Sequence, residues 1–414
     1  MTIKNEIKHL KRKIDKNFFQ KDYTSISDIK DYQVKISKNP RPRLNLLITS
    51  MNSQDVYAGI KSAVDFFVKF KKFDIDLRII VMGKRIDESS LYPVPDFTFI
   101  KDYPIENDND SKIICDSSKN CSSLFIRERD YFLSTMWFTA YNADSILNKQ
   151  EKLFGKRMPM VYLIQDYEPG FYPWSSEYLL AESTYHLENQ LVVFNSRYLK
   201  DYFDKNGYVF EKSFYFDPVL NENLRNVLNL NGNSNIERKN RILFYGRPSK
   251  ARNAFQLICM ALEKWSLLDE NSSQWEIYSA GEDLKDVKLK NNLVIKSLGK
   301  MSVENYAKFM LESKIGISLM VSPHPSYPPL EMATFGMKVL TNSFVTKDIS
   351  DFNENIKSIE HININRLAEE LHRLTTAQTD YKVLKNDNYV NGVSQIDTIV
   401  DDIGLYLQFQ KCEV

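Results

Sequence analysis

The chain has 414 residues, 43% of them hydrophobic, which is too apolar for a disordered polymer and too long for one ordinary core. Fifty-five basic residues against 54 acidic ones leave a net charge of +1, so the basic field that nucleic-acid binding uses is missing. Four scattered cysteines (Cys115, Cys121, Cys259, Cys412) without a CxxC pair exclude a disulfide frame or paired-thiol zinc site, and no run approaches the ~18 apolar residues of a membrane span.

Residues 1–22 stand apart. Lys4, Lys8, Lys11, Arg12, Lys13, Lys16 and Lys21 outweigh the acids there, and Ile3, Ile7, Leu10, Ile14 and Phe18 recur at helical steps. A basic amphipathic helix of this kind lies either on an anionic membrane surface or on its own protein. The start runs into charge rather than into a signal peptide, so the expectation is a cytoplasmic protein with peripheral contact to the inner face of the membrane.

Residues 44–49 then read as a buried strand, 60–70 as a helix and 77–83 as a second strand, a βαβ spacing. Further strands are expected at 123–126, 130–134, 160–164 and 190–194, with helical stretches between several of them. The alternation predicts a parallel sheet with helices on both faces. Residues 221–240 are rich in Asn and lack aromatics, as a linker would be. The pattern restarts at Arg241 with strands at 241–246, 275–279, 293–295, 315–320 and 338–341, and helices at 253–267, 303–313 and 328–335. An amphipathic segment over 393–410 is long enough to cross back to the first unit. The predicted organisation is an N-terminal helix (1–22), a Rossmann-like domain (23–220), a linker (221–240), a second Rossmann-like domain (241–392) and a returning helix (393–414).

Doubly wound sheets bind ligands beyond the carboxyl ends of their strands. After the strand at 241–246 come Gly246, Arg247, Lys250 and Arg252, three cations within six residues beside a glycine that admits close approach, a pattern suited to phosphate. Gly299-Lys300 forms a second, weaker turn before a helix, with Ser302 as its cap. In Ser322-Pro323-His324-Pro325-Ser326-Tyr327-Pro328-Pro329-Leu330-Glu331, prolines fix the turn and the helix start is a place for an anion. Glu331 is positioned to accept from ribose hydroxyls. After the strand at 160–164 stand Gln165, Asp166, Tyr167 and Glu168, followed by Phe171, Tyr172 and Trp174, whose rings suit either sugar stacking or core packing. Lone histidines (His186, His324) read as satisfied or solvent-facing rather than as ligands. The two D-x-D strings, Asp74-Ile75-Asp76 and Asp108-Asn109-Asp110, do not follow a strand, so no metal is expected.

The Gly246-Arg247…Arg252 turn and the run Pro329-Leu330-Glu331-Met332-Ala333-Thr334-Phe335-Gly336 resemble two signatures of the retaining GT-B glycosyltransferases of family 4. Asn195-Ser196-Arg197-Tyr198-Leu199 is similar to the segment that closes that family's first domain. The tract from Tyr162 to Pro173 resembles a narrower group, the rhamnosyltransferases of bacterial surface-polysaccharide and S-layer glycan assembly. The resemblance implies a GT-B fold, L-rhamnose transfer from dTDP-β-L-rhamnose to a growing lipid-linked glycan, and no cofactor beyond that donor. It implies diphosphate and nucleotide contacts from Gly59, Gly246, Arg247, Arg252, Gly299, Lys300, Pro329, Leu330 and Glu331, and acceptor contacts from Gln165, Asp166, Tyr167, Glu168 and Phe171. Catalytic weight falls on Arg247, Lys300, Glu331 and Asp166. Two departures touch the sugar subsite: Pro323 stands where the family places a carboxylate, and Gln165-Asp166 replaces a His–Asp pair. A UDP- or GDP-hexose donor, or a non-catalytic glycan- or nucleotide-binding relative, are the alternatives left open.

Overall fold

The computed structural model describes residues 24–56, 58–101, 111–119, 123–231, 237–290, 292–378, 381–392 and 394–412. The basic stripe expected over residues 1–22 lies outside the described residues.

The first sheet has eight strands, all parallel, in the order β10-β9-β8-β7-β2-β3-β5-β4. They are β2 (Arg43–Ile48), β3 (Asp76–Val81), β4 (Thr98–Ile100), β5 (Lys112–Asp116), β7 (Asp130–Ser134), β8 (Met160–Ile164), β9 (Gln190–Phe194) and β10 (Lys212–Tyr215). Helices on both faces bury a parallel sheet completely, so every residue of β2, β3, β7, β8 and β9 is buried. The strand expected at Ser123–Ile126, β6, does not join this sheet. It pairs with β1 (Gln33–Ile36) in a separate two-stranded parallel sheet, and its alternating burial fits a strand covered on one face only.

Buried strands tolerate charge only when it is paired. At the amino ends of β2, β3 and β7, Arg43 donates to both carboxylate oxygens of Asp130 at 2.7 Å, and Asn45 donates to Asp130 at 3.0 Å. Arg78 donates to Asn45 at 2.6 Å, and Arg127 pairs with Asp76. Burial pushes the Asp130 carboxyl up, but the Arg43 and Arg78 charges outweigh it and hold the group below its ordinary range.

The second sheet runs β13-β14-β12-β11-β15-β16-β17, parallel except for the β13–β14 pair. Its strands are β11 (Lys239–Gly246), β12 (Glu276–Gly281), β13 (Val287–Lys288), β14 (Val294–Gly299), β15 (Ser313–Ile317), β16 (Lys338–Asn342) and β17 (Ile356–Ile359). Leu243 and Val339 face a core layer with Met310 and Met332, whereas Ile242 and Phe244 face another with Leu262, Trp265 and Leu371.

Much of the stretch expected as a linker is helical. Glu222–Asn231 form a helix whose Leu224, Val227 and Leu228 pack on Ala307 and Met310 of the helix Val303–Glu312. The asparagines obscured a short apolar stripe at three- and four-residue steps. Just before this helix, Leu220 N–H donates to the carbonyl of Tyr389 at 2.8 Å, so the outgoing and returning chains run side by side. The returning helix, Ile396–Tyr406, docks on the first domain: Ile399, Val400 and Ile403 join its core, and Phe409 sits 5.1 Å from the Tyr131 ring. Lys69–Asp397 and Lys72–Asp401 ion pairs flank the contact at 2.8 and 2.9 Å. Among the described residues no helix is long and apolar enough to cross a membrane.

Removing Asp130 leaves Arg43 and Arg78 buried without their counter-ion. Asp130→Ala is expected to lower unfolding free energy by ~3 to 5 kcal/mol in urea titrations. The half-exposed Asp204→Ala should change it by no more than about 0.5 kcal/mol.

Candidate functional site

The carboxyl ends of both sheets open on one cleft. A cavity of about 500 Å³ there is walled by Thr49, Gly59, Gln165, Asp166, Glu168 and Phe171 from the first domain. Tyr245, Arg247, Lys250, Arg252, His324 and Tyr327 face them from the second.

Asp166 follows β8 and is 7% exposed. Its Oδ1 accepts the backbone N–H of Tyr167 at 2.9 Å and a short hydrogen bond from the Ser322 hydroxyl of the other domain. Its Oδ2 lies 3.4 Å from Arg252 Nε, and the Arg252 guanidinium rests 4.4 Å from the Phe171 ring centroid. Gln165 lies against the first turn of the helix Ala58–Val68, where a side chain on Gly59 would come within 3.3 Å of its Oε1.

The loop after β15 supplies the opposite wall. Ser322 Oγ accepts the N–H of His324 at 3.1 Å, and His324 Nδ1 accepts the N–H of Ser326 at 3.0 Å. Burial, aided by the nearby Lys347 and Arg252 charges and opposed by Asp166, holds the His324 imidazole down to about 4, so it is neutral at ordinary pH. Lys347 is 1% exposed and donates to the Met320 carbonyl at 2.6 Å; burial pulls its ammonium down to about 7.

Glu168 lines the cavity but is committed locally. Its Oε2 accepts the N–H of Trp137 at 2.8 Å, at the start of the helix Trp137–Phe154, and Tyr162 donates to Oε1 at 3.5 Å. Burial pushes its carboxyl up to about 8, with the Asp166 charge adding to the rise and the Trp137 N–H opposing it.

Several expected site residues stand elsewhere. Tyr167 packs among Tyr185, Tyr202 and Phe203, with its hydroxyl 3.3 Å from that of Tyr208, so it belongs to an aromatic core rather than to the cavity wall. Tyr172 accepts from Trp137 Nε1 at 2.9 Å, and Trp174 is 96% exposed. Gly246 is needed for packing: a side chain there would strike Ser279, Phe244 and Phe255. Gly299 has φ +58 and turns beside Asp283; with Asp286 and Ser297 it borders a separate hollow at the carboxyl end of its strand, and Lys300 follows it exposed. The helix Pro328–Thr334 has only seven residues, and its first two are prolines without N–H groups. Pro329 and Leu330 are buried, and Glu331 N–H donates to the Tyr327 carbonyl at 3.0 Å, which leaves little of the expected anion-binding helix start. Half-buried Glu331 sits behind this wall, where burial pushes its carboxyl up to about 7 and the neighbouring Tyr306 hydroxyl lowers it part of the way.

Sequence reasoning missed Ser322 as the partner of Asp166, the structured role of His324, and Lys347 altogether. Two prolines flanking His324 were a signal; Thr346-Lys347-Asp348 reads as an ordinary polar loop.

The chain is similar to known proteins. The family models WsaF, N-terminal domain, and WsaF, C-terminal domain, match residues 43–197 and 240–372 in that order, together most of the chain. The O-antigen biosynthesis protein RfbC of Myxococcus xanthus is 30% identical over 213 residues, which is 51% of this chain and 15% of that protein. The chain thus spans only a small part of that relative. Sucrose-phosphate synthase of Thermosynechococcus elongatus superposes with a TM-score of 0.56 at 12% identity, covering 89% of this chain and 99% of its own. HepE of Anabaena, solved with UDP and glucose, superposes with a TM-score of 0.55 at 11% identity, covering 88% and 99%. At such identities the likeness is one of fold, two facing parallel-sheet domains.

The buried Glu168 predicts a pH dependence. Its folded pKa lies above the ordinary 4.5, so the stability it contributes is complete below that pH and lost as pH rises through about 8. In Glu168→Gln, the fall of Tm between pH 5 and 9 should be shallower than in the wild type; equal slopes would assign that fall to other groups.

Proposed function

Because the chain belongs to the two-domain, GT-B-fold glycosyltransferases of the WsaF type, we propose that it transfers L-rhamnose from dTDP-β-L-rhamnose, with retention of configuration, to a growing lipid-linked surface glycan. The observation that carries this reading is the single cavity in which Arg247, Lys250 and Arg252 of one domain face Gln165, Asp166 and Phe171 of the other.

Breaking the anomeric C–O bond places negative charge on the β-phosphate. Arg247 and Arg252 stabilise it as fixed charges in a water-poor cleft, where such groups act strongly. Lys300 and the backbone at Gly59 are assigned to the same diphosphate when the domains close further, and Glu331 to the ribose hydroxyls. The departing phosphate takes the proton of the acceptor hydroxyl, so no separate base is required. Asp166 orients the acceptor; because Ser322 and Arg252 already occupy it, it does so through its remaining lone pairs. A 6-deoxy sugar offers no 6-hydroxyl, which agrees with Pro323 in place of a carboxylate. The donor is the sole small molecule required, without metal. The basic stripe of residues 1–22 is assigned to the anionic surface that holds a lipid-linked acceptor.

Calorimetric titration with dTDP, UDP and GDP is expected to rank dTDP first; tighter binding of either other nucleotide would remove the thymidine donor. Arg247→Ala should lower turnover ~100-fold or more, the usual cost of losing one group aimed at developing charge. Near-normal turnover in both Arg247→Ala and Glu331→Ala would displace the site.

A further inference from the structure

We propose that His324 reads a hydroxyl of the sugar being transferred, donating its Nε2–H to that oxygen from the second-domain wall of the cleft. The inference rests on the glycosyl-transfer reading but not on the identity of the nucleotide or of the sugar.

The proton position follows from the loop. Pro323 and Pro325 restrict the backbone on either side of His324. The His324 N–H is fixed on Ser322 Oγ, and Nδ1 receives the N–H of Ser326. Ser326 holds a φ of +66, a strained value for a residue with a side chain, and this bend turns its N–H onto the ring. A nitrogen that accepts a hydrogen bond carries no proton, so in the neutral ring the proton sits on Nε2.

That Nε2–H has no hydrogen-bond partner among the described residues, although the residue is only 6% exposed and lines the cavity. The ring is accessible from the cavity, so a ligand entering the cleft can displace solvent there and supply the acceptor. The chemistry selects a hydroxyl rather than a phosphate. Burial and the charges of Lys347 and Arg252 keep the ring uncharged, whereas a phosphate site would favour the cation that Arg247 and Arg252 already provide. Asp166 and His324 both line the cavity, so a carboxylate and a ring N–H donor border the same space. One position earlier stands Pro323, where the family resemblance leads one to expect a carboxylate; here the wall offers a donor instead.

The test compares binding of dTDP, UDP and GDP with dTDP-β-L-rhamnose, UDP-glucose and GDP-mannose in the wild type, His324→Leu and His324→Gln. Leucine removes the donor at similar bulk, whereas glutamine keeps an N–H at comparable reach. In His324→Leu, the preferred sugar nucleotide should bind ~10-fold more weakly, the worth of one lost hydrogen bond, while its nucleoside diphosphate stays within about twofold. His324→Gln should recover most of the difference. Equal losses for nucleotide and sugar nucleotide would reduce His324 to a support of the loop and overturn the proposal. So would a glutamine variant no better than leucine, or a wild type in which the sugar changes no affinity. A sugar-dependent gain found only with UDP-glucose or GDP-mannose would remove the dTDP-rhamnose reading and leave His324 in place.

Discussion

Asp166 sits 7% exposed at the end of a first-domain strand, yet its side-chain partners, Ser322 and Arg252, come from the second domain. A carboxylate is poorly tolerated in such a place unless it is paired, and here the pairing requires the two sheets to face one another. Arg252 adds to the constraint by lying on Phe171 of the opposite wall. The same guanidinium is the group proposed to meet a diphosphate. A ligand that draws Arg252 toward itself loosens a contact between the domains, so binding and domain position share one side chain and are energetically coupled.

Around this link, burial drives four titrating groups toward their neutral forms. The carboxyls of Glu168 and Glu331 are pushed up, and the groups of His324 and Lys347 are pulled down. Guanidinium groups do not yield in this way, because they stay protonated across the working range. The arginines therefore bring fixed charge into the cleft, where Arg252 lies beside Asp166. Neutral side chains nearby contribute direction rather than charge, which suits the recognition of uncharged hydroxyl groups.

The fold class was legible because buried parallel strands leave near-continuous apolar runs, as in Leu44-Asn45-Leu46-Leu47-Ile48, and because the run restarts at Arg241. What stayed hidden was local. Ser123–Ile126 has the composition of a sheet strand, but its register with Gln33–Ile36 is fixed by chain segments far apart in sequence. The Asn-rich run after residue 220 concealed a helix because three apolar residues suffice when a second helix covers them. At the site, the Arg247–Arg252 turn could be found from strand position and charge. Tyr167 could not be separated from the aromatic core, since stacking on a sugar and stacking on Tyr185 use the same ring. The Asp166–Ser322 contact joins residues 156 positions apart, and nothing local announces it.

The chain passes between the domains twice, outward near Leu220 and back after Tyr389, and these two residues are hydrogen-bonded to each other. Two straps fastened side by side define an axis, as the spine of a book does. Such a pair of crossings favours rotation about that line over sliding or free swivelling. The helix at Ile396–Tyr406 anchors the second strap to the first domain through Ile399, Val400 and Ile403. Small rotations there are magnified at the far lip of the cleft, so that a slight turn at the spine alters the width of its mouth most.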